Sequence, residues 1–276
     1  MSSTELPPTE AAPVRDASTV ILLQNRDDGI EVFLLERVGG MAFAGGMTVF
    51  PGGGVDISDA DSDLEWAGPP PSWWASRFGV DERKAAALVC AAARETFEEC
   101  GILLAGPNTD TVVTDTDVYA EDRGALERRE QTFGEFLTRN GLVLRADLLR
   151  PWSNWITPVG EKRRYDTRFF VAVQPEGQYA DGATTEAASV RWRSPESALD
   201  DWREGSTVLL PPTWSQLSGL TQFSSVGAVL AASPDIAPIQ PNLYHVDGEL
   251  RVEFPGQEHY YAGSAHPWAG EKNRHR

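Results

Sequence analysis

Residues 94–102 read Arg94-Glu95-Thr96-Phe97-Glu98-Glu99-Cys100-Gly101-Ile102, and they lie downstream of a glycine-rich turn at residues 50–54. On a helix, residues three and four positions apart share a face, so Glu95, Glu98 and Glu99 crowd together. Like charges at that spacing repel each other and destabilise a bare helix. Divalent cations prefer such carboxylate oxygens as ligands. The stretch therefore predicts a metal site and indicates phosphate chemistry.

The composition excludes several classes of protein. The chain has 276 residues, of which 41% are hydrophobic, and it carries a net charge of −17. This acidity argues against nucleic-acid binding through a basic face, because phosphate contacts need clustered Lys and Arg. It permits a small anionic ligand if metals and a few arginines reverse the local field. Cys90 and Cys100 provide no disulfide framework or zinc set, and we expect both to be small buried hydrophobes.

The predicted elements alternate between strand and helix, which indicates an α/β layered domain. Asp81 is a candidate N-cap for a helix that runs to Cys100 and stops at Gly101. A further helix is predicted from Thr132 to Asn140. The other predicted strands span residues 18–23, 31–36, 47–50, 152–157, 167–173 and 188–192, the other helices begin at 194 and span 211–220 and 224–232, and residues 244–261 are read as irregular strands.

Residues 56–80 read as a polar insertion that contains Trp73 and Trp74, a candidate pair for substrate or subunit contact. Residues 1–16 read as a flexible tail without a signal-peptide pattern, and no apolar run approaches about 18 residues. The last residues, 273–276, match no peroxisomal or retention signal. We therefore expect a cytoplasmic protein with no membrane partner and no nucleic-acid partner. A homodimer is left open.

At this point the chain resembles the Nudix hydrolase superfamily. The Nudix box reads Gly, five residues, Glu, seven residues, then Arg-Glu-U-x-Glu-Glu-x-Gly-U, where U is aliphatic. The second half matches at residues 94–102, with Thr96 where an aliphatic residue is usual, and the first half matches at Gly53. Gly53 and Arg94 are 41 positions apart instead of 14, so 27 residues are inserted. Continued without a gap, the match places Asp59 at the first Glu position.

A long insertion inside the box also occurs in the Nudix branch that includes the vertebrate peroxisomal coenzyme A diphosphatases, and the chain resembles that branch. Residues 32–37, 50–53 and 163–170 extend this similarity, which covers roughly residues 18–235. The resemblance implies an α/β/α sandwich with a mixed sheet and helical insertions. We expect a Nudix domain over residues 17–262 with insertions near 56–80 and 108–147, followed by a C-terminal tail at 263–276.

The resemblance also implies a set of metal ligands and catalytic residues. Glu95, Glu98, Glu99 and the carbonyl of Gly52 are the expected ligands of Mg²⁺ or Mn²⁺, and Arg94 is expected to hold the carboxylates by ion pairing. Such ions neutralise phosphoryl oxygens and activate water.

A carboxylate outside the box acts as the general base in many Nudix enzymes. Glu186 is the first candidate here, Asp181 is the reserve, and Glu95 follows the other family precedent. Substrate phosphate is expected to contact arginines, whose planar fork binds two oxygens. The candidates are Arg37, Arg163, Arg164 and Arg168. The alternating pattern of residues 165–170 predicts a strand with one face toward a cleft.

The predicted function is hydrolysis of a phosphoanhydride in a nucleoside diphosphate linked to another group, with coenzyme A or an acyl derivative as a candidate. The residues after Arg37 lack the histidine-containing coenzyme A motif of another Nudix branch. Sugar nucleotides, dinucleotides and dinucleoside polyphosphates therefore stay open as substrates. A Nudix-fold module that senses a nucleotide without catalysis is the main alternative, and a Nudix-fold isomerase is a weaker one.

Overall fold

Thirteen strands and eight α-helices form within the residues that the computed structural model describes, which are 11–26, 29–39, 44–60 and 64–263. The strands are β1 (Val14–Arg26), β2 (Gly29–Arg37), β3 (Thr48–Val49), β4 (Gly52–Gly54), β5 (Trp66–Ala67), β6 (Ala105–Gly106), β7 (Val143–Arg145), β8 (Arg150–Ile156), β9 (Arg164–Val173), β10 (Ala187–Arg193), β11 (Pro238–Ile239), β12 (Asn242–Val246) and β13 (Glu249–Glu253). The helices are α1 (Pro71–Phe78), α2 (Glu82–Cys100), α3 (Ala120–Glu127), α4 (Phe133–Arg139), α5 (Pro195–Arg203), α6 (Pro211–Leu220), α7 (Val226–Ala231) and α8 (Gln257–Gly263).

A mixed sheet of eight strands forms the centre of the fold. Six of its strands follow the order β10-β2-β1-β9-β8-β11, while β3 pairs with β2 and β4 pairs with β1. β1 and β9 run parallel, with Val14 opposite Arg164 and Leu23 opposite Val173. β12 and β13 form a separate hairpin, and β5, β7 and β6 form a small third sheet. The short β4 brings the glycine turn beside β1.

Hydrophobic residues on both faces of β1 bury the sheet between two helical layers. Val20 and Leu22 point to one side and pack in a core with α1, α2 and α4. Ile21 and Leu23 point to the other side and pack in a second core with α5, α6, α7 and α8. Successive side chains of a strand alternate between faces, so a strand that is apolar at every position is buried on both. The predicted α/β/α sandwich is confirmed.

The helix α2 has the two ends that its sequence predicts. The side chain of Asp81 accepts a hydrogen bond from the amide of Lys84 at 2.8 Å, and Gly101 adopts a left-handed conformation with φ of 73°. A left-handed residue stops a helix, and glycine adopts that conformation without a Cβ clash. Cys90 and Cys100 are both buried, and neither forms a disulfide, as predicted. These ends fix the register of the three glutamates at the end of the helix.

Three predicted features differ from the structure. β1 already begins at Val14, three residues inside the predicted tail. Residues 257–261 belong to α8 and are not strand, because Tyr260 turns into the second core. Trp74 lies on α1, is fully buried, and packs against Phe78 and Phe170. Trp74 therefore belongs to the core and is not available for substrate or subunit contact.

Parts of several predictions lie outside the described residues. These are residues 1–10 and 264–276 of the two predicted tails, residues 27–28 of the first hairpin turn, and residues 40–43 of the glycine-rich loop. No helix in the described ranges is both long enough and apolar enough to cross a bilayer.

Candidate active site

The last two turns of α2 bring four charged residues of the box together at the edge of the sheet. Arg94 and Glu99 are almost completely buried, while the side chains of Glu95 and Glu98 are 13% and 14% exposed. The helical spacing holds them on neighbouring positions of one face. A partly buried group of one cation and three carboxylates carries excess negative charge.

Arg94 uses its whole guanidinium group to organise this cluster. Its Nη1 donates to Glu95 at 2.8 Å and to Glu98 at 3.2 Å. Its Nε and Nη2 each lie 3.0 Å from an oxygen of the buried Asp59, and Nη2 also donates to the carbonyl of Gly54 at 2.9 Å. Burial alone would lower the pKa of Arg94, but Glu95, Asp59 and Glu98 together raise it above its ordinary value.

Asp59 therefore lies where the ungapped match from Gly53 placed the first acidic residue of the box. It sits in a short 3₁₀ turn, Ile57–Asp59, directly before the insertion. Its bidentate contact with Arg94 across 35 residues joins the two halves of the interrupted box. The inserted residues also contribute to the fold, because α1 lies among them and packs Trp74 and Phe78 into the core that contains α2 and α4.

The glycine turn packs directly against the carboxylates. The amide of Gly52 donates to Glu99 Oε2 at 2.7 Å. A Cβ on Gly52 would come within 2.4 Å of the carbonyl oxygen of Ser18, and a Cβ on Gly53 would come within 2.5 Å of Glu95 Oε1. Real Cβ atoms do not approach that closely, so a side chain at Gly52 would clash with backbone, whereas one at Gly53 would displace the carboxylate of Glu95. The turn thus fixes the position of Glu95 and Glu99.

Arg37 connects the box to Glu186. Its Nη2 donates to Glu186 Oε2 at 2.5 Å, and its Nη1 lies 3.6 Å from Glu99 Oε1. Its Nε is buried and has no hydrogen-bond partner among the described residues. Glu186 is about half exposed, and α3 holds the preceding loop because Glu127 accepts a hydrogen bond from the amide of Thr185 at 2.7 Å.

Burial raises the pKa of all three glutamates of the box. For Glu95, burial outweighs the opposing effect of Arg94, and Glu98 and Glu186 add to it, which brings the pKa to about 7. The pKa of Glu98 is raised, and that of Glu99 lies well above its ordinary value, chiefly through burial and then, for Glu99, through Glu95. A bound divalent cation would relieve this unfavourable charge, so the donor chemistry fits the expected metal.

The carboxylates do not converge on one point as they stand. Within the described part of the chain, no three His, Cys, Asp or Glu side chains are arranged to hold a metal ion. The reason is visible in the contacts: Glu95 and Glu98 turn to Arg94, while Glu99 turns to Gly52. Metal binding therefore requires at least one carboxylate to rotate away from its present partner.

We expect the stability of the metal-free protein to fall with pH because of Glu95. The folded state holds the Glu95 proton more tightly than the unfolded state, so the stabilisation is present below the ordinary pKa and is lost as pH rises through about 7. Glu95→Gln removes this dependence. The free energy of unfolding can be measured with urea in the presence of a chelator at pH 5 and at pH 8. From pH 5 to pH 8 it should fall by on the order of 2–3 kcal/mol more in the wild type than in Glu95→Gln. Equal pH dependence of both proteins would contradict the expectation.

Two clefts meet at Glu95. We call the first, of about 330 Å³, the inner cleft; it runs between the sheet and the segments around residues 210–213, 241 and 252. The second, of about 1340 Å³, is the outer cleft; it lies between the end of α2 and the segment that carries α3 and α4. Among the described residues, only three line both clefts: Glu95, Arg129 and Glu186. The junction is where a substrate would meet the box.

The structure separates the candidate bases. Glu186 and Glu95 line both clefts, whereas Asp181 pairs with Arg123 at 2.8 Å near the end of α2 and belongs to neither lining. Asp181 is therefore badly placed to take a proton from a water in either cleft.

The four predicted substrate arginines also differ in position. Arg37 lines the inner cleft, and Arg163 is exposed outside both linings. The buried Arg164 donates to the carbonyls of Thr157 and Pro158, and Arg168 pairs with Asp166 and lies over Phe78. Neither lines a cleft, so substrate contact by Arg164 or Arg168 does not agree with the geometry.

The strand prediction for β9 was right about a cleft face but wrong about which arginine would reach it. Tyr165, Thr167 and Phe169 line the inner cleft, while the alternate residues Arg168 and Phe170 face the layer of α1. Sequence reasoning also missed Arg129, which no motif marks. The only feature of the sequence that could have indicated Arg129 is its position in a polar segment beside another arginine.

Comparisons with known proteins identify the family and the fold of the chain. Residues 82–220 match the sequence model of the NUDT19 Nudix domain. The chain is similar to the acyl-coenzyme A diphosphatase NUDT19 of Gallus gallus, with 30% identity over 278 residues that cover 83% of this chain and 72% of that protein. It is also similar to the protein of that name from Xenopus laevis, with 31% identity over 239 residues that cover 74% of this chain. The matched part spans 63% of the length of the Xenopus laevis relative.

A solved structure supports the architecture. The crystal structure of a Nudix hydrolase from Alicyclobacillus acidocaldarius superposes with a TM-score of 0.70 and 23% sequence identity. The match covers 82% of this chain and 99% of that one. At this identity the likeness concerns the fold alone.

Proposed function

The chain belongs to the NUDT19 Nudix domain family, and we propose that it is a metal-dependent diphosphatase acting on the phosphoanhydride of coenzyme A derivatives. The observation that carries the proposal is the position of Glu95 at the junction of two clefts, with Glu98 and Glu99 beside it on α2. A diphosphate that spans the junction would lie against this carboxylate cluster.

The box carboxylates are the proposed metal ligands. Glu95, Glu98, Glu99 and the Gly52 carbonyl offer oxygen atoms of the kind that Mg²⁺ and Mn²⁺ prefer, and Nudix hydrolases generally use divalent metal ions. Such an ion would neutralise charge on the phosphoryl oxygens and would lower the pKa of a water molecule bound to it. Arg94 retains Asp59 as a partner when Glu95 or Glu98 turns toward the metal.

Glu186 is the proposed general base. Its half-exposed carboxylate lines both clefts, and a hydrogen bond from Arg37 holds it in place there. Glu95 is the second candidate because it occupies the same junction. Arg37 is the proposed phosphate contact of the inner cleft, because it lines this cleft and its Nε has no hydrogen-bond partner among the described residues.

The inner cleft supports an acylated substrate. Part of its wall is apolar, formed by Trp155, Phe169, Val252, Pro211 and Pro212, while Glu161 and several threonines also line it. Burying an alkyl chain against such a wall is favourable by roughly 0.8 kcal/mol per CH₂ group. The relatives are named acyl-coenzyme A diphosphatases, and we infer that the acyl-pantetheine arm enters this cleft. A cytoplasmic location and a homodimer stay predictions.

Product chromatography over a substrate panel tests the proposed function. The panel contains octanoyl-coenzyme A, coenzyme A, NADH, ADP-ribose and a dinucleoside polyphosphate, each with Mg²⁺, with Mn²⁺ and with a chelator. We expect metal-dependent cleavage of the coenzyme A compounds into adenosine 3′,5′-bisphosphate and a phosphopantetheine, with a lower KM for the octanoyl form. Nucleotide binding without cleavage of any compound would instead favour the sensing module, and cleavage of another compound alone would reassign the substrate.

A further inference from the structure

Arg129 occupies a backbone position that normally belongs to glycine. α3 ends at Glu127, and the chain then turns with hydrogen bonds from the amide of Arg129 to the carbonyl of Leu126 and from the amide of Glu130 to that of Ala125, both 2.8 Å. This pair of bonds defines a Schellman turn, in which the residue after the cap is left-handed. Arg129 is that residue, with φ of 58°. A Cβ makes the conformation unfavourable.

Other helices in the described chain use glycine at this turn. α1 ends at Gly79, α2 at Gly101, and the turn after α4 contains Gly141, with φ values of 66°, 73° and 61°. Among these helix ends, the arginine after α3 is therefore the strained exception; outside them, Ala44 and Asp247 also have a positive φ without being glycine. Strain that persists at a position facing a cleft suggests that its side chain has a function there.

The side chain of Arg129 lies at the junction of the clefts. It shares with Glu95 and Glu186 the property of lining both. It is 80% exposed, and its contact with Asp56 is long, at 3.7 Å. The neighbouring Arg128 instead pairs with Glu130 at 2.8 Å and itself lines neither cleft. Two adjacent arginines thus differ in orientation, and only Arg129 reaches the junction.

The charges of the outer cleft explain why a cation is needed at this place. Seven carboxylates line the outer cleft, against three arginines. Of these, Arg94 is committed to Asp59, and Arg139 pairs with Asp122. A diphosphate would bring further negative charge into this region. Arg129 offers an exposed planar fork that matches a phosphate oxyanion in geometry and charge.

We propose that Arg129 binds a non-reacting phosphate oxyanion of the substrate where the diphosphate passes between the two clefts. The proposal rests on the diphosphatase function proposed above. Because Arg129 has a left-handed backbone conformation, its replacement by glycine should relieve backbone strain. The same replacement should remove the phosphate contact. Stability and activity should therefore change in opposite directions.

Steady-state kinetics with octanoyl-coenzyme A and Mg²⁺, together with thermal unfolding, tests this proposal on Arg129→Ala, Arg129→Gly and Arg129→Lys, with Arg128→Ala as the matched control. The first two variants should lose about 10-fold to 100-fold in kcat/KM, the range of a lost charge-assisted hydrogen bond. Arg129→Gly should unfold at or above the wild-type temperature. Arg129→Lys should recover part of the loss, and Arg128→Ala should stay within about twofold of the wild type.

Unchanged kcat/KM in Arg129→Ala and Arg129→Gly would overturn the proposal. An equal loss in Arg128→Ala would also overturn it, because the effect would then be one of general charge. If the wild type cleaves no coenzyme A compound, the proposed function fails separately. Calorimetric binding of inorganic pyrophosphate to the wild type and to Arg129→Ala then decides the matter: weaker binding by the variant supports the contact, and equal affinities reject it.

Discussion

Glu98→Gln is expected to lower kcat for the metal-dependent reaction by about 10³-fold, since it removes several kcal/mol of charge stabilisation through the metal. Gln keeps the size of the side chain and an oxygen that can accept the hydrogen bond from Arg94 at the present 3.2 Å. Glu98 is a sharper test than Glu99, because Glu99 also holds the amide of Gly52. Initial rates at saturating substrate over a series of Mg²⁺ concentrations measure the loss.

Glu82→Gln is the matched control for Glu98→Gln. Glu82 lies in the first turn of the same helix and is exposed. It should leave kcat and the metal dependence unchanged, while Glu98→Gln should unfold at a temperature no lower than the wild type, since it removes a crowded charge. Full turnover by Glu98→Gln in the presence of metal would exclude the mechanism.

Gly53→Ala is expected to lower kcat by about 100-fold, because its Cβ must displace the carboxylate of Glu95 by an ångström or so. The backbone at Gly53 does not have a positive φ, so alanine is compatible with the chain itself. The effect should come from contact with Glu95, whose Oε1 and Oε2 would lie 2.5 Å and 2.6 Å from the new atom. Kinetics and urea unfolding of the same preparations separate the loss of activity from any loss of stability.

Gly54→Ala is the matched control at the next position. Its φ is also not positive, and an added Cβ would meet no atom within 4 Å. It should retain most of the wild-type turnover and keep the carbonyl that accepts from Arg94. If the two alanine variants had the same activity, the close packing of Gly53 on Glu95 would have no role in the reaction.

Local signals in the sequence were sufficient for α2 and for the register of the box. The cap at Asp81 and the stop at Gly101 are decided by residues within one turn, so they can be read without the fold. Asp59 follows from Gly53 after five intervening residues, and in the structure its carboxylate pairs with Arg94. These predictions succeeded because each depends on neighbours in sequence or on fixed spacing.

Long-range packing decided what the sequence could not predict. Alternation along β9 indicates two faces but gives no information about which layer covers each, so Arg168 is among the predicted phosphate contacts although it lies over Phe78. Trp74 sits in a segment of polar and proline-rich composition, and only contact with Phe170, almost 100 positions later, makes it a core residue. Arg129 was missed because its importance depends on where a turn lies relative to two clefts.

The ion pair of Asp59 and Arg94 has a consequence for the evolution of this sequence. The contact with Arg94 anchors the chain at Asp59, and the helix cap at Asp81 anchors the chain again at the start of α2. With both ends held, lengthening the segment between them costs little closure entropy, roughly 0.6 kcal/mol for each doubling. Selection can therefore remodel the exposed surface of this segment while the carboxylates of the box keep their positions.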